Sequence, residues 1–189
     1  MDDPIAKTLE DYREVISRLN VTNDPSLHSF TQNEFCKALL LSSASYFEHR
    51  ITSLIEEVVR LASHDSDMVR AMVKQKVIDR QYHTYFNWKE TKLSSINPFL
   101  SLFGETFSAS FKAIVKDNET LAASVLAFME VGGLRNQLVH LNYVTFPINK
   151  TFDEVISLYG SSVLFVKELE KQLMAQAREL RSNLRPGSN

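Results

Sequence analysis

Arg135, Asn136 and His140 lie in the stretch "GGLRNQLVHLNY", residues 132–143. Histidine can exchange a proton near neutral pH. Arginine presents a planar, permanently charged fork that fits phosphate oxygens. With no metal, the two together suit attack by a ribose 2′-hydroxyl on its own phosphodiester. His140 would move a proton, and Arg135 would stabilise the charge of a phosphorane-like transition state. DNA lacks the 2′-hydroxyl, so this chemistry is confined to RNA. Asn136 is a neutral amide beside the arginine and can only position its neighbours.

The spacing sets a geometric condition. Each residue of an ideal helix turns about 100°, so Arg135 and His140 stand about 140° apart and share no face. Two copies facing across a twofold axis would bring both pairs into one cleft. A homodimer is therefore expected, with 132–143 at or beside its interface. The plainer reading of His140 is a side chain that caps helix carbonyls or fills a pocket. Each glycine inside a helix costs about 1 kcal/mol against alanine. Gly132-Gly133 is thus expected to end or kink a helix over 119–131 and send the arginine segment in a new direction, or to allow close backbone approach at an interface.

The elements that must hold these residues read as helices. The chain has 189 residues, five Gly and five Pro, few for a β-rich fold with many tight turns. Asp3-Pro4 predicts an N-cap and a helix to about Leu19, followed by a polar loop, "NVTNDPSLHS". Thr31 to Glu34, "TQNE", has the capping-box pattern. Behind it Leu40, Ala44, Phe47, Ile51, Leu54, Val58 and Leu61 make one apolar seam, on a long helix ending near Ser63. "SDMVRAMVKQKVIDR" predicts another helix. Residues 81–116 are aromatic-rich and predict short helices, one starting at Asn97-Pro98 and ending at Gly104. A second capping box, Thr151 to Glu154, opens a final helix through Leu158, Ser162, Phe165, Leu169, Leu173 and Leu180. The expected fold is all-α: a single-domain helical bundle over 1–185 with two long helices and shorter ones packed around them, and a frayed tail at 186–189.

Several function classes drop out. Apolar and charged contents of 44% and 23% are ordinary for a globular chain, and a net charge of −2 provides no global basic field. Any polyanion site must be local. Cys36 is the only cysteine, so no internal disulfide or cysteine-based zinc site is possible. The histidines at 28, 49, 64, 83 and 140 form no helical ligand pair, and no metal or cofactor is expected. There is no Gly-rich phosphate loop and no Gly-x-Ser-x-Gly elbow. The acidic start, "MDDPIAKTLEDY", is unlike a signal peptide, and no apolar run is long enough to span a membrane. The expected location is the cytoplasm. In "YFEHR", residues 46–50, His49 and Arg50 read as a solvated face beside the Phe47 seam.

"LRNQLVH", residues 134–140, resembles the signature of the HEPN superfamily: Arg, a polar residue, and a His a few positions on. "SYFEHRI" (45–51) on a long early helix and "NPFLSLFG" (97–104) mid-chain, in that order before the motif, resemble the RiboL-PSP-HEPN group over roughly residues 30–180. The resemblance implies an all-α, metal-independent endoribonuclease acting as a homodimer, of the kind common in toxin–antitoxin and phage-defence systems, with RNA as substrate and an antitoxin as a further partner. It implies catalytic roles for Arg135, His140 and Asn136, and a supporting role for Glu48. Glu48 lies about 100° around the helix from Phe47, so it is expected to point toward Arg135–Asn136 and to orient Arg135 by a charge-assisted hydrogen bond. HEPN-like domains also serve as non-catalytic RNA- or nucleotide-binding or protein-interaction modules, and that alternative stays open.

Overall fold

The computed structural model describes residues 4–21, 24–79 and 81–183, and among them seven α-helices and no strand. Helix α1 spans Pro4–Val21, α2 Pro25–Ala62, α3 Asp67–Val73, α4 Asn97–Ser101, α5 Glu105–Lys116, α6 Glu119–His140 and α7 Phe152–Asn183. Asp3 and the tail at 186–189 lie outside the described residues.

Helix α2 starts before its expected capping box. Asp24 is the N-cap: its Oδ1 accepts hydrogen bonds from the Ser26 and Leu27 amides at 3.1 and 3.0 Å. Pro25 follows at the first helical position, where its missing N–H costs nothing. The expected polar loop is therefore mostly helix, and Thr31 sits inside α2 rather than at its end. A carboxylate cap with a proline behind it is the stronger start signal, and the helix propagates through the weaker one. The end at Ser63 is as expected. His64 and Asp65 then turn the chain with φ of 51° and 62°, and Asp65 is tied by Arg60 at 3.0 Å and by Arg181 of α7 at 3.3 Å.

All seven residues of the α2 seam are buried. They pack against α6 and α7, which also pack on each other, so α2, α6 and α7 form the body of the bundle. Aromatic rings fill the space between. Phe128 of α6 meets Phe47 of α2 at 5.7 Å, Phe165 of α7 at 4.9 Å and Phe86 at 5.0 Å between centroids. Burial of side chains this large is worth about 2–3 kcal/mol each, so these contacts fix the three helices relative to one another.

The other starts follow local chemistry. Pro98 opens α4, which ends at Ser101; a turn then reaches Gly104 at φ +89°, the N-cap of α5. The α7 box forms: the Thr151 amide donates to Glu154 Oε2 at 2.7 Å, and the Glu154 amide donates to Thr151 Oγ1 at 3.3 Å. The predicted helix at 66–80 is α3, continued by a π turn over Lys74–Ile78. No helix among the described residues is long and apolar enough to cross a membrane.

Helix α6 corrects the reading of Gly132-Gly133. It runs unbroken from Glu119 to His140, so the glycines do not end it and Arg135 lies on the same helix as they do.

Candidate functional site

The reason for Gly132 is Trp88. A Cβ built on Gly132 would lie 2.8 Å from Trp88 Cη2 and closer still to Cζ3 and Cε3; one on Gly133 would lie 3.3 Å from the Trp88 carbonyl oxygen. The six-membered ring of the indole lies against the bare α6 backbone at Gly132. Its ring also meets Phe86 at 4.9 Å and Tyr82 and Phe128 at 5.7 Å each. The segment carrying Trp88 is folded on itself, with the Asn87 amide donating to Ser95 O at 2.9 Å and Ser95 Oγ donating to Glu90 O at 2.7 Å. The close approach is thus within one chain. It seats the segment 82–89 against the helix that bears the arginine and the histidine.

Between that segment, α2 and α6 lies a cleft of about 1090 Å³. Arg135, Asn136 and His140 line one wall, Glu48 lines the α2 wall, and His83 and Lys89 line the third. Around α6, Arg135, Asn136 and His140 fall at about 0°, 100° and 140°, so Asn136 stands between the other two. Arg135 Nη1 donates to Asn136 Oδ1 at 3.1 Å, a hydrogen bond that orients the guanidinium. The 140° separation therefore does not keep the two apart: the cleft is wide enough for both to line it in a single protomer.

Glu48 shares the cleft but does not make the expected bond. Among the described residues, neither Glu48 nor Lys89 pairs with an opposite charge, and Arg135 is paired with no carboxylate. Asn136, adjacent in the chain, takes the orienting role instead. Glu48 and Arg135 act on a common neighbour, Tyr82. Burial pushes the Tyr82 hydroxyl well above its usual range, the Glu48 carboxylate adds to the rise, and the Arg135 guanidinium works against it. Burial also pushes Tyr85 up to about 12, with Glu48 adding to it. Two fixed cations, Arg135 and Lys89, face one carboxylate, so the cleft is locally cationic on a chain of net charge −2.

The chain just beyond His140 is pinned by a buried lysine. Lys37 of α2 is 1% exposed, and its Nζ donates to the Tyr143 and Val144 carbonyls at 3.0 and 3.5 Å and to Glu34 Oε1 at 3.0 Å. Its charge also sits 5.0 Å from the Tyr143 ring centroid. Farther along the same connection, Lys150 pairs with Glu130 of α6 at 2.6 Å. The chain leaving His140 is thus held to the helix that carries Glu48.

A second cleft, about 1020 Å³, runs along α2 and α7 and is mostly apolar. Its arginine is engaged: Arg50 is ion-paired with Glu170 and hydrogen-bonded to Tyr46 Oη at 3.2 Å. His49 is exposed there, as its reading on a solvated face expects, whereas Arg50 reaches across to α7. Among the described residues no three His, Cys, Asp or Glu side chains are grouped as metal ligands would be.

Sequence reasoning passed over His83, Trp88 and Lys89. They lie some fifty residues before the motif and follow no helical period. The usable signal was a run of aromatics interleaved with cationic and amide side chains, "YHTYFNWK", where the helical pattern lapses.

The bundle, and a late helix whose Arg, Asn and His open on one cleft, define a helical domain of the HEPN type. The RiboL-PSP-HEPN family model matches residues 5–175, and the chain belongs to that family. No curated protein and no solved structure matches it.

Proposed function

We propose that this protein is a metal-independent endoribonuclease that cleaves RNA through attack by the substrate's own 2′-hydroxyl. The carrying observation is that Arg135, Asn136 and His140 line one cleft in which Arg135 has no carboxylate partner. A guanidinium already neutralised by a salt bridge would have little left to offer a phosphate. This one is oriented by a neutral amide and keeps its full charge. The membership of the family supports the same reading, since HEPN domains are often ribonucleases.

In the proposed reaction a bond forms between O2′ and phosphorus as the P–O5′ bond breaks. His140 moves a proton in this exchange, and its exposure lets solvent restore its protonation state between turnovers. Arg135 binds the non-bridging oxygens as their charge grows. Glu48 acts at a distance, through its field at the cleft wall, rather than by contact with Arg135. The products carry a 2′,3′-cyclic phosphate and a 5′-hydroxyl. The working form is a homodimer bearing two clefts, in a cytoplasmic toxin or phage-defence system with an antitoxin or other protein partner.

The test is cleavage of single-stranded RNA in EDTA by wild type, His140→Ala and Arg135→Ala. Loss of the proton-moving group should cost about 10²–10⁴-fold. Loss of the charge donor should cost about 10²–10³-fold. Asn136→Ala should cost less, since Arg135 stays charged but loses its orientation. A 2′-deoxyribose at the scissile position should block cutting there. If wild type cuts no RNA, or His140→Ala cuts as well as wild type, the catalytic reading fails and a binding module takes its place.

A further inference from the structure

We propose that Lys89 forms a second phosphate-binding subsite, so that the cleft grips an RNA strand at the scissile phosphate and again at a flanking one. This rests on the ribonuclease reading above. Lys89 lines the same cleft as Arg135 and His140, is exposed, and has no carboxylate partner among the described residues. Its neighbours Glu90 and Lys92 pair with each other at 3.3 Å and leave it free.

The position of Lys89 is built rather than incidental. Trp88, the residue before it, is locked between the bare backbone at Gly132 and the rings of Phe86 and Phe128. The Trp88 carbonyl lies over Gly133. That places the Lys89 backbone near the Gly133 level of α6. His140 is seven residues farther along the same helix, about 10 Å at 1.5 Å per residue. Arg135 and Asn136 fall between. A nucleic-acid strand rises about 3.4 Å per nucleotide, so this length holds more than one phosphate. The lysine's flexible stem and single compact charge suit a phosphate that is held, whereas the oriented arginine fork suits the one that reacts. A phosphate contact carries no base information, so the subsite tightens binding to any sequence equally.

The experiment separates binding from catalysis. The probe is a fluorescent 2′-O-methyl RNA strand, which cannot be cleaved, titrated against the wild-type protein, Lys89→Ala and Lys89→Arg over a range of salt. Lys89→Ala should weaken binding roughly three- to fivefold, as expected for an exposed charge pair. It should lower the slope of log Kd against log salt by about 0.7, the value of one lost contact on a single strand. Lys89→Arg should restore both, and thermal stability should be unchanged in each variant. With cleavable RNA, Lys89→Ala should raise KM by the same factor and leave kcat alone. A methylphosphonate at one flanking linkage should weaken wild type several-fold and Lys89→Ala not at all. An unchanged salt slope in Lys89→Ala, or equal sensitivity of both proteins to the neutral linkage, overturns the subsite. If the strand binds with the predicted slopes but no RNA is ever cut, the subsite stands as a binding site and the ribonuclease reading is what fails.

Discussion

Replacing Gly132 with alanine should damage the fold, although alanine is the better helix former. On an exposed helix the change would stabilise by about 1 kcal/mol. Here the new methyl would stand 2.8 Å from Trp88 Cη2 and closer to two other ring atoms. The ring has no room to retreat, since Phe86, Phe128 and Tyr82 stand 4.9–5.7 Å from its centroid. The indole must leave its seat, and losing a packed tryptophan costs about 3–5 kcal/mol. Offset by the helix gain, the net loss is about 2–4 kcal/mol, or a fall in Tm of about 5–15 °C. Gly133→Ala meets only the Trp88 carbonyl oxygen at 3.3 Å and should stay within about 0.5 kcal/mol of wild type. Gly160→Ala, with nothing within 4 Å, should stabilise by about 0.5–1 kcal/mol. Urea unfolding measures the three, and Trp88, the only tryptophan, reports directly by a red-shifted emission in Gly132→Ala. In a Trp88→Ala background the same substitution should turn stabilising. If Gly132→Ala is as stable as wild type with unchanged emission, the packing argument for the glycine is wrong.

The N-terminus of α2 gives a paired test: Asp24→Ala should cost about 1 kcal/mol in urea unfolding, whereas Thr31→Ala, mid-helix, should remove no cap at all. Lys37→Met removes the lysine donor from two loop carbonyls and, among the described residues, the only cation paired with Glu34; it should cost about 2 kcal/mol in urea unfolding, and RNA cleavage should fall because the chain beyond His140 is no longer pinned. Burial, with Asp153 and Glu154 adding, pushes the Cys36 thiol up to about 11, so a thiol-reactive disulfide reagent at pH 8 should label unfolded but not native protein. Because the folded thiol holds its proton longer than the unfolded one, its contribution to stability is intact below pH 9 and lost between about pH 9 and 11; a Cys36→Ser variant, melted across that range, should show a shallower alkaline decline.

The helices were legible because their signals are local and periodic. The α2 seam, the Thr151 box and the Asn97-Pro98 start each depend on residues within a turn or two of one another, and all of them appear in the structure. Where two local signals compete, at Asp24 and Thr31, the helix starts at the stronger, Asp24, and runs through the other. The chemistry-bearing residues of α6 could be picked out by type, because an Arg, an Asn and a His at that spacing are few-residue features.

What lines up against them could not be read that way. Gly132-Gly133 looked like a helix break, since the sequence offers no view of the indole that lies on the backbone there. Glu48, His83, Lys89 and Arg135 face one cleft only because α2 and the 82–89 segment pack on α6, which brings together residues up to 87 positions apart. Even the orientation of Arg135 changed hands: a distant carboxylate was expected to set it, and the adjacent Asn136 does. The sequence by itself determined the helices, the apolar faces and which residue types α6 carries, because those follow from backbone hydrogen bonding and side-chain periodicity over short range. Only the tertiary structure decided which residues share the cleft, which cations are left unpaired and why a glycine is needed, because each of those is a distance between side chains that no local pattern encodes.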